Sequence, residues 1–537
     1  MANSALTRRR FLALTGGAAA AVAGSGLLAA CGSSTTPTTG GAGSVTFPEY
    51  APATLVKPDL PATADGVMAG FYDYPANLAT AFTSKPGEGL GNVTVLTNMF
   101  NPVPPSAGSN AYWQEVNNRL GATLDITMTP SADYLSKLST VIAGGELPDM
   151  TLISAKLAHR ADVLTRMCAD LSEFVSGSAV KDYPFLANIP KDAWLPAAYG
   201  GGIYGVPIPR GIAGTIFFSR NDLIRARGLN NAPASYAEFV TLAEGLTDAK
   251  ANRWAFGGVK RVLVFVGTML GVPNTWKVEG GKFVSEFETE QRKEAVARTA
   301  ELYAKGLFHP DSLGNKLQVR DLFGNGTIAL HGDGYAAWDT MAAAYKSVEI
   351  GAMPAPKAEG GGIAQHPAGA AAFAITAFKK GDKARIKQLL KICDWLAAPL
   401  GTTEYMFRKF GVEGTHYTMQ NGRPALTDKG KVEVKLPLEY IIDAPPILGP
   451  GDRARVDAQR AYQEKIVPTL LRSPADGLYS ATAVDKAGEM SKIIDAAELD
   501  IVSGRKPAAY WDEAVAAWKK AGGDAARAEY EKALTTK

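Results

Sequence analysis

From about residue 92 the chain alternates between two hydrophobic periods. Val93-Thr94-Val95-Leu96 reads as a buried strand, and residues 123–128 set Leu124, Ile126 and Met128 on one face with the period of two of a strand. Between them, residues 111–120 carry Trp113, Val116 and Leu120 at helical spacing, and residues 134–142 repeat that spacing with Leu135, Leu138 and Ile142. Met150-Thr151-Leu152-Ile153 follows the Pro148-Asp149 breaker as a short buried strand. The same grammar returns later. Strands are predicted at 214–219, 327–330 and 371–376, and helices at 221–227, 235–246, 289–305, 382–397 and 484–502. Ser235 with Glu238 three residues on is a capping-box pattern. Strand and helix in alternation predict an α/β fold with parallel sheets. No repeat of fixed short period is present.

The chain opens differently. Thr7-Arg8-Arg9-Arg10-Phe11-Leu12 precedes a weakly apolar stretch, 11–30, that ends in Leu28-Ala29-Ala30-Cys31. A basic start, an apolar middle and small residues before a cleavage point are the parts of a bacterial export signal. The arginines before Phe-Leu resemble a twin-arginine signal. Leu-Ala-Ala-Cys resembles a lipobox, in which the cysteine thiol takes a diacylglycerol and becomes the new N-terminus. The competing reading is an uncleaved spanning helix, since the stretch is about long enough. It is mostly Ala and Gly, with four Leu and no Ile, so spanning gains little transfer energy. A cleaved signal over 1–30 and a lipid anchor on Cys31 are expected, which would hold the mature protein outside the cytoplasmic membrane. Residues 31–46, rich in Gly, Ser, Thr and Pro, read as a flexible tether. Residues 47–91, Pro- and Gly-rich with scattered apolar positions, read as a segment wrapping over the main body.

Composition narrows the partners. The 537 residues leave room for two or three domains, and a hydrophobic fraction of 46% is that of a globular protein. The formal charge of +3 is supplied by Arg8, Arg9 and Arg10, so the remainder is near neutral without a long basic run. Nucleic acid is therefore not an expected partner. Of the three cysteines, Cys168 and Cys393 remain once Cys31 is lipidated. A bridge between them is open to an exported protein, but both read better as buried thiols.

Four stretches carry a family likeness. They are Ala143-Gly144-Gly145-Glu146-Leu147-Pro148-Asp149; Gly202-Ile203-Tyr204-Gly205-Val206-Pro207 through Thr215-Ile216-Phe217-Phe218-Ser219-Arg220-Asn221-Asp222-Leu223, with Pro233-Ala234-Ser235-Tyr236-Ala237-Glu238 after it; residues 322–338; and Gly411-Val412-Glu413-Gly414-Thr415-His416-Tyr417. In this order and spacing the chain resembles the extracellular solute-binding proteins of ABC importers, of the maltose-binding type, and most closely their large lipoprotein members. The resemblance implies a two-lobed periplasmic-binding-protein-like fold with hinge crossovers and ligand in the cleft. By analogy the N-lobe comprises 92–212 and 354–447, and the C-lobe 213–353 and 448–537. Crossings are expected near Gly211–Gly214 and Ile350–Pro354, and once more after Pro445. A sugar ligand, ABC permease subunits in the membrane and a monomeric state are the implied partners. No cofactor or metal is expected.

Sugar capture needs flat apolar faces for C–H groups and planar polar groups for hydroxyls. Arg210, framed by Pro207 and Pro209 before the first crossing, is either a clamp for ligand or a hinge ion pair. Asp333 and Trp338 follow a strand on the side that faces the cleft in relatives, and Trp338 is either a stacking platform or a core anchor. Ser154 and Lys156 follow the strand 150–153, and Asn101 follows the first strand. Trp254 and Trp276 are further candidates as platforms, with burial as the alternative. Trp113 and Trp395 lie on apolar helical stripes and are expected in the core, while Glu413, His416 and Tyr417 read as a packing element. There is no Gly-x-Ser-x-Gly, His-Glu-x-x-His, Cys-x-x-Cys, P-loop or calcium-loop pattern, and the five histidines are scattered. The main reading is thus a carbohydrate-binding lipoprotein of an importer. The alternative is a lipid-anchored, polysaccharide-degrading enzyme, since glycosidase carboxylates have no fixed spacing in sequence.

Overall fold

The computed structural model describes residues 45–314 and 317–535. The signal, Cys31 and the tether up to residue 44 lie outside the described residues.

Two main sheets form. Their strands in chain order are β1 (Asn92–Met99), β2 (Thr123–Pro130), β3 (Met150–Ile153), β4 (Val206–Pro209), β5 (Thr215–Arg220), β6 (Trp254–Phe256), β7 (Ile328–Gly334), β8 (Ile350–Met353) and β9 (Ala372–Phe378). The first sheet has the spatial order β2-β1-β3-β9-β4 and the second β8-β5-β7-β6. In the first, β1 is parallel to β2 and β3, whereas β9 runs antiparallel to both β3 and β4. In the second, β5 is antiparallel to β7 and β8, and β7 is parallel to β6. The expected all-parallel pattern thus holds only for part of each sheet. The antiparallel members are the strands that arrive from, or leave for, the other lobe.

Local sequence explains most element boundaries. Helix Ala111–Leu120 starts where the Asn110 side chain accepts from the Trp113 amide, and stops at Gly121 in the left-handed region. Its buried face is Tyr112, Trp113, Val116 and Leu120, as the 3.6-residue period requires. Loss of such a cap costs on the order of 1 kcal/mol. At helix Tyr236–Leu246 the Ser235 hydroxyl accepts from the Glu238 amide, but the Glu238 carboxylate reaches the Ala234 amide rather than that of Ser235. The capping box is therefore one residue wide of the sequence pattern. Helix Val259–Met269 was hidden in sequence, because its run of β-branched valines favours strand locally. Burial of Val259, Val262, Leu263 and Val266 in the second lobe overrides that preference.

Three cores account for the packing. One lies in the first lobe and joins residues 90–208 with 372–442, with Trp113, Trp395, Cys168 and Cys393 inside it. A second joins residues of 217–364 with Met490, Ile494, Trp511 and Trp518. A third fills the other face of the second sheet with Ile216, Phe218, Trp338 and Met341 against Tyr462 and Ile466 of helix Arg453–Ile466. Ala355, Ala358 and Ala364 still belong to the second core. The return crossing therefore lies between 365 and 371, later than the expected 350–354, because β8 is continued by a segment that packs on its own lobe before leaving it.

At the hinge the first two crossings touch backbone to backbone. Gly214 has φ +62°, a Cβ there would meet Gly369 Cα at 2.8 Å, and the Gly369 amide donates to the Ile212 carbonyl at 2.9 Å. Only glycine permits both this conformation and this approach. Residues 45–91 form no helix; isolated bridges tie Pro48 to Gly177, Gly70 to Leu448 and Ala79 to Thr402. Both remaining cysteines are free and buried, with burial pushing the Cys168 thiol up to about 12. Among the described residues no helix is long and apolar enough to cross a membrane.

Candidate functional site

The ends of β1 and β3, the start of β9 and the end of β4 share one edge of the first sheet. Ile153 of β3 faces Ile375 of β9, and Ala372 of β9 faces Pro209 of β4. From that edge the chain crosses to Thr215, the first residue of β5, which pairs with Gly334 at the end of β7. The two sheets therefore turn their strand ends toward each other at the crossings, where open α/β sheets gather ligands.

Three aromatic rings stand on the first edge. Phe100 directly follows β1, Phe373 is the one outward position of β9, and Tyr440 lies in a short turn that follows helix Asp428–Glu433. Their ring centroids are 5.1 Å (Phe100–Tyr440), 5.5 Å (Phe373–Tyr440) and 6.1 Å (Phe100–Phe373) apart. Phe100 is 57% and Phe373 37% exposed, so this cluster presents apolar faces to solvent rather than closing a core. The turn beneath it is pinned to the sheet: Thr97 Oγ1 donates to the Tyr440 carbonyl and Thr376 Oγ1 to that of Ile441.

Arg210 lies across the same rings. Its Cζ is 5.1 Å from the Phe373 centroid and 5.8 Å from that of Tyr440, a cation–π arrangement. Its amide donates to the Ala371 carbonyl at 2.8 Å, which fixes its backbone beside β9. Burial lowers its pKa. Below, Asp443 accepts from Arg408 Nη1 at 3.0 Å and Lys409 Nζ at 2.7 Å. Burial alone would raise the Asp443 carboxyl, but these two cations hold it at about 2.

The second lobe contributes Asp333, near the end of β7. Its Oδ2 is 2.7 Å from Arg320 Nε and 3.3 Å from His331 Nε2, and its Oδ1 accepts from the Gly334 amide. Burial works against its charged form, yet these partners hold the carboxyl well below the usual carboxylate range. Arg261, on helix Val259–Met269, points Nη1 at Thr215 Oγ1, 3.4 Å away, beside the first crossing.

The structure brings Asn101, Ser154, Lys156 and Arg210 to this one edge, and Asp333 to the facing one. Asn101 and Lys156 are exposed, and Ser154 Oγ accepts from the Lys156 amide. The three tryptophans lie elsewhere. Trp338 is 1% exposed, edge-on to Phe218, Tyr335 and Tyr462 in the third core. Trp254 opens β6 opposite Ile328, at the end of the sheet remote from the crossings, against His309. Trp276 packs among Phe283, Trp518 and Tyr530. Each is large and apolar enough that burial wins over presentation. Sequence reasoning missed Phe100, Phe373 and Tyr440. Phe373 was open to it, as a large aromatic between two alanines near the start of a predicted strand; Tyr440 was not, because only the fold brings that turn to β1 and β9.

Comparison with known proteins agrees with this architecture. The sequence model of the family described as "Bacterial extracellular solute-binding protein" matches residues 111–410. The polygalacturonan/rhamnogalacturonan-binding protein YtcQ of Bacillus subtilis (strain 168) is 25% identical over 448 residues, 78% of this chain and 87% of that one. Lipoprotein LipO of the same organism is 21% identical over 464 residues, 80% of this chain and 90% of that one. In structure, the chain is similar to the alginate-binding protein AlgQ2, with a TM-score of 0.61 at 16% identity over 85% of this chain and 99% of the other.

Proposed function

This chain belongs to the bacterial extracellular solute-binding proteins, and from that membership we propose that it captures an oligosaccharide between its lobes and hands it to an ABC permease. The family is one of binding proteins rather than enzymes. The observation that carries the sugar reading is the cluster of exposed Phe100 and Phe373 with half-buried Tyr440, and Arg210 lying over it. The exposed faces of these edge-on and tilted rings supply the flat apolar surface that a pyranose C–H side needs, and a planar guanidinium beside them suits vicinal hydroxyls. Asn101, Ser154, Lys156 and Asp333 are the polar groups we assign to the same cleft. The polysaccharide-binding name of the relative in Bacillus subtilis is in keeping with such a ligand.

The working cycle is closure. Ligand that touches both strand edges stabilises the closed arrangement, and the Gly214–Gly369 contact is the pivot about which the lobes turn. We further propose export by a twin-arginine route, cleavage before Cys31 and a diacylglycerol anchor on that cysteine, with a monomeric body on the outer side of the membrane. The likeness to a lipoprotein supports the anchor.

The test is calorimetry and thermal shift of the signal-free protein against neutral and acidic oligosaccharides. A ligand that binds only the folded state raises its apparent stability. Phe373→Ala is expected to weaken binding by roughly thirtyfold, the loss of a stacking hot spot of about 2 kcal/mol. Turnover of the sugar into product, or binding indifferent to Phe373, overturns the reading. Cys31→Ser should abolish lipid labelling, and continued labelling removes the anchor from it.

A further inference from the structure

Arg210 lacks a counter-ion of its own. Among the described residues no carboxylate comes within ion-pair distance of its guanidinium; Nη1 donates to the Pro209 carbonyl, and the rest of the group lies over Phe373 and Tyr440. The acids it feels at longer range make no ion pair with it. Asp443 is held by Arg408 and Lys409, and burial pushes the Glu439 carboxyl upward. A half-buried cation without an anion is costly, and the cost is removed when an anion arrives from outside.

The facing lobe offers a second guanidinium, one already paired with a carboxylate but open at its two terminal nitrogens. Arg320, on helix Val319–Gly324, gives Nε to Asp333, while its two terminal nitrogens make no hydrogen bond among the described residues. Its side chain is half exposed. Asp333 brings little net repulsion, because Arg320 and the His331 ring already engage it. Tyr440, which touches Arg210, also feels Arg320 across the cleft. Arg261, at the first crossing, is like Arg210 without a carboxylate partner among the described residues.

We infer that the sugar taken here is acidic, an oligosaccharide bearing carboxylates of the uronate kind, gripped by Arg210 from one lobe and Arg320 from the other. This rests on the sugar-capture reading above and adds its charge. The guanidinium nitrogens left open on Arg210 and Arg320 match a planar carboxylate with paired donors, which neutral hydroxyls use less fully. The aromatic rings beside Arg210 serve the ring face of the same residue, so stacking and charge are read together.

The experiment compares short oligomers of galacturonate, guluronate and mannuronate with their methyl esters, which keep shape and remove charge. Neutral gluco-, manno- and fructo-oligosaccharides are included. In the wild-type protein the acid form is expected to bind at least about thirtyfold more tightly than its ester, the worth of one charge-assisted contact. That ratio should fall toward one in Arg210→Gln and Arg320→Gln; being a ratio, it is insensitive to general damage in either variant. Esters or neutral sugars binding as well as the acids overturns the charge inference and leaves sugar capture standing. Failure of every oligosaccharide to bind the folded wild type overturns sugar capture itself.

Discussion

Trp338→Ala separates a core role from a ligand role on one protein. The indole is 1% exposed and packs edge-on against Phe218 of β5, Tyr335, and Tyr462 of helix Arg453–Ile466. A buried tryptophan removes on the order of 200 Å² from water. At about 25 cal/mol per Å² this gives roughly 5 kcal/mol as an upper bound. Large-to-small substitutions in cores cost about 3–5 kcal/mol once the cavity is included. For a cooperative unit the size of one lobe, about 4 kcal/mol lowers the melting temperature by roughly 8–16 °C. Differential scanning calorimetry reads the melting, and titration calorimetry reads affinity well below it. The expected outcome is a steep loss of stability in the second lobe with ligand affinity within a few-fold of wild type. An unchanged melting temperature with lost binding would refute the reasoning and return Trp338 to the cleft.

Three further outcomes follow from buried groups. His366 accepts from the Ala355 amide at Nε2 and meets the Ala364 carbonyl at Nδ1, a neutral tautomer, and burial lowers its pKa to about 4. The unfolded chain then binds the proton first, from about pH 6.5 downward, so stability falls as pH drops from there to about 4, by on the order of 3 kcal/mol; a His366→Gln protein should lack this part of the pH slope in denaturant titrations. Arg292 lies between Glu286, which is partly buried, and Glu498, which like Arg292 is buried, and Arg292→Met leaves two carboxylates without their cation, a loss of about 3 kcal/mol by chemical denaturation; a neutral effect would show that the cluster is not coupled to folding. In folded Cys31→Ser protein neither Cys168 nor Cys393 should react with a thiol reagent, and both should after denaturation; fast labelling of either in the native state contradicts its burial.

The α/β elements were legible wherever one period ran undisturbed. Residues 111–120, 134–143 and 150–153 took the structures that their apolar spacing demands. The valine-rich helix Val259–Met269 was not legible, since its local preference opposes its fate. Helix Arg453–Ile466 was missed because few of its positions are apolar, and its buried face includes Gln459 and Gln463. Sequence order was enough to put polar Asn101, Ser154, Arg210 and Asp333 at or beside strand ends, which is where the fold has them. It could not choose among aromatics, because a tryptophan and a phenylalanine look alike as platforms until packing decides. The tryptophans went inward, and Phe100 and Phe373, on a strand end and a strand's outward face, stayed outside.

The interleaving of the two lobes governs how the polypeptide is made. The first core needs β9 and residues as late as Ile442, and the second needs Trp511 and Trp518. On the ribosome, β1, β2 and β3 emerge long before β9, so the β3 edge waits bare while the whole second sheet is synthesised. Neither lobe can fold as an independent unit during elongation, and most of the stabilising contacts form only after the last helices are released. A stop codon just ahead of Trp511 would strip Trp511 and Trp518 from a lobe that begins near residue 215, and so would unmake the middle of the protein.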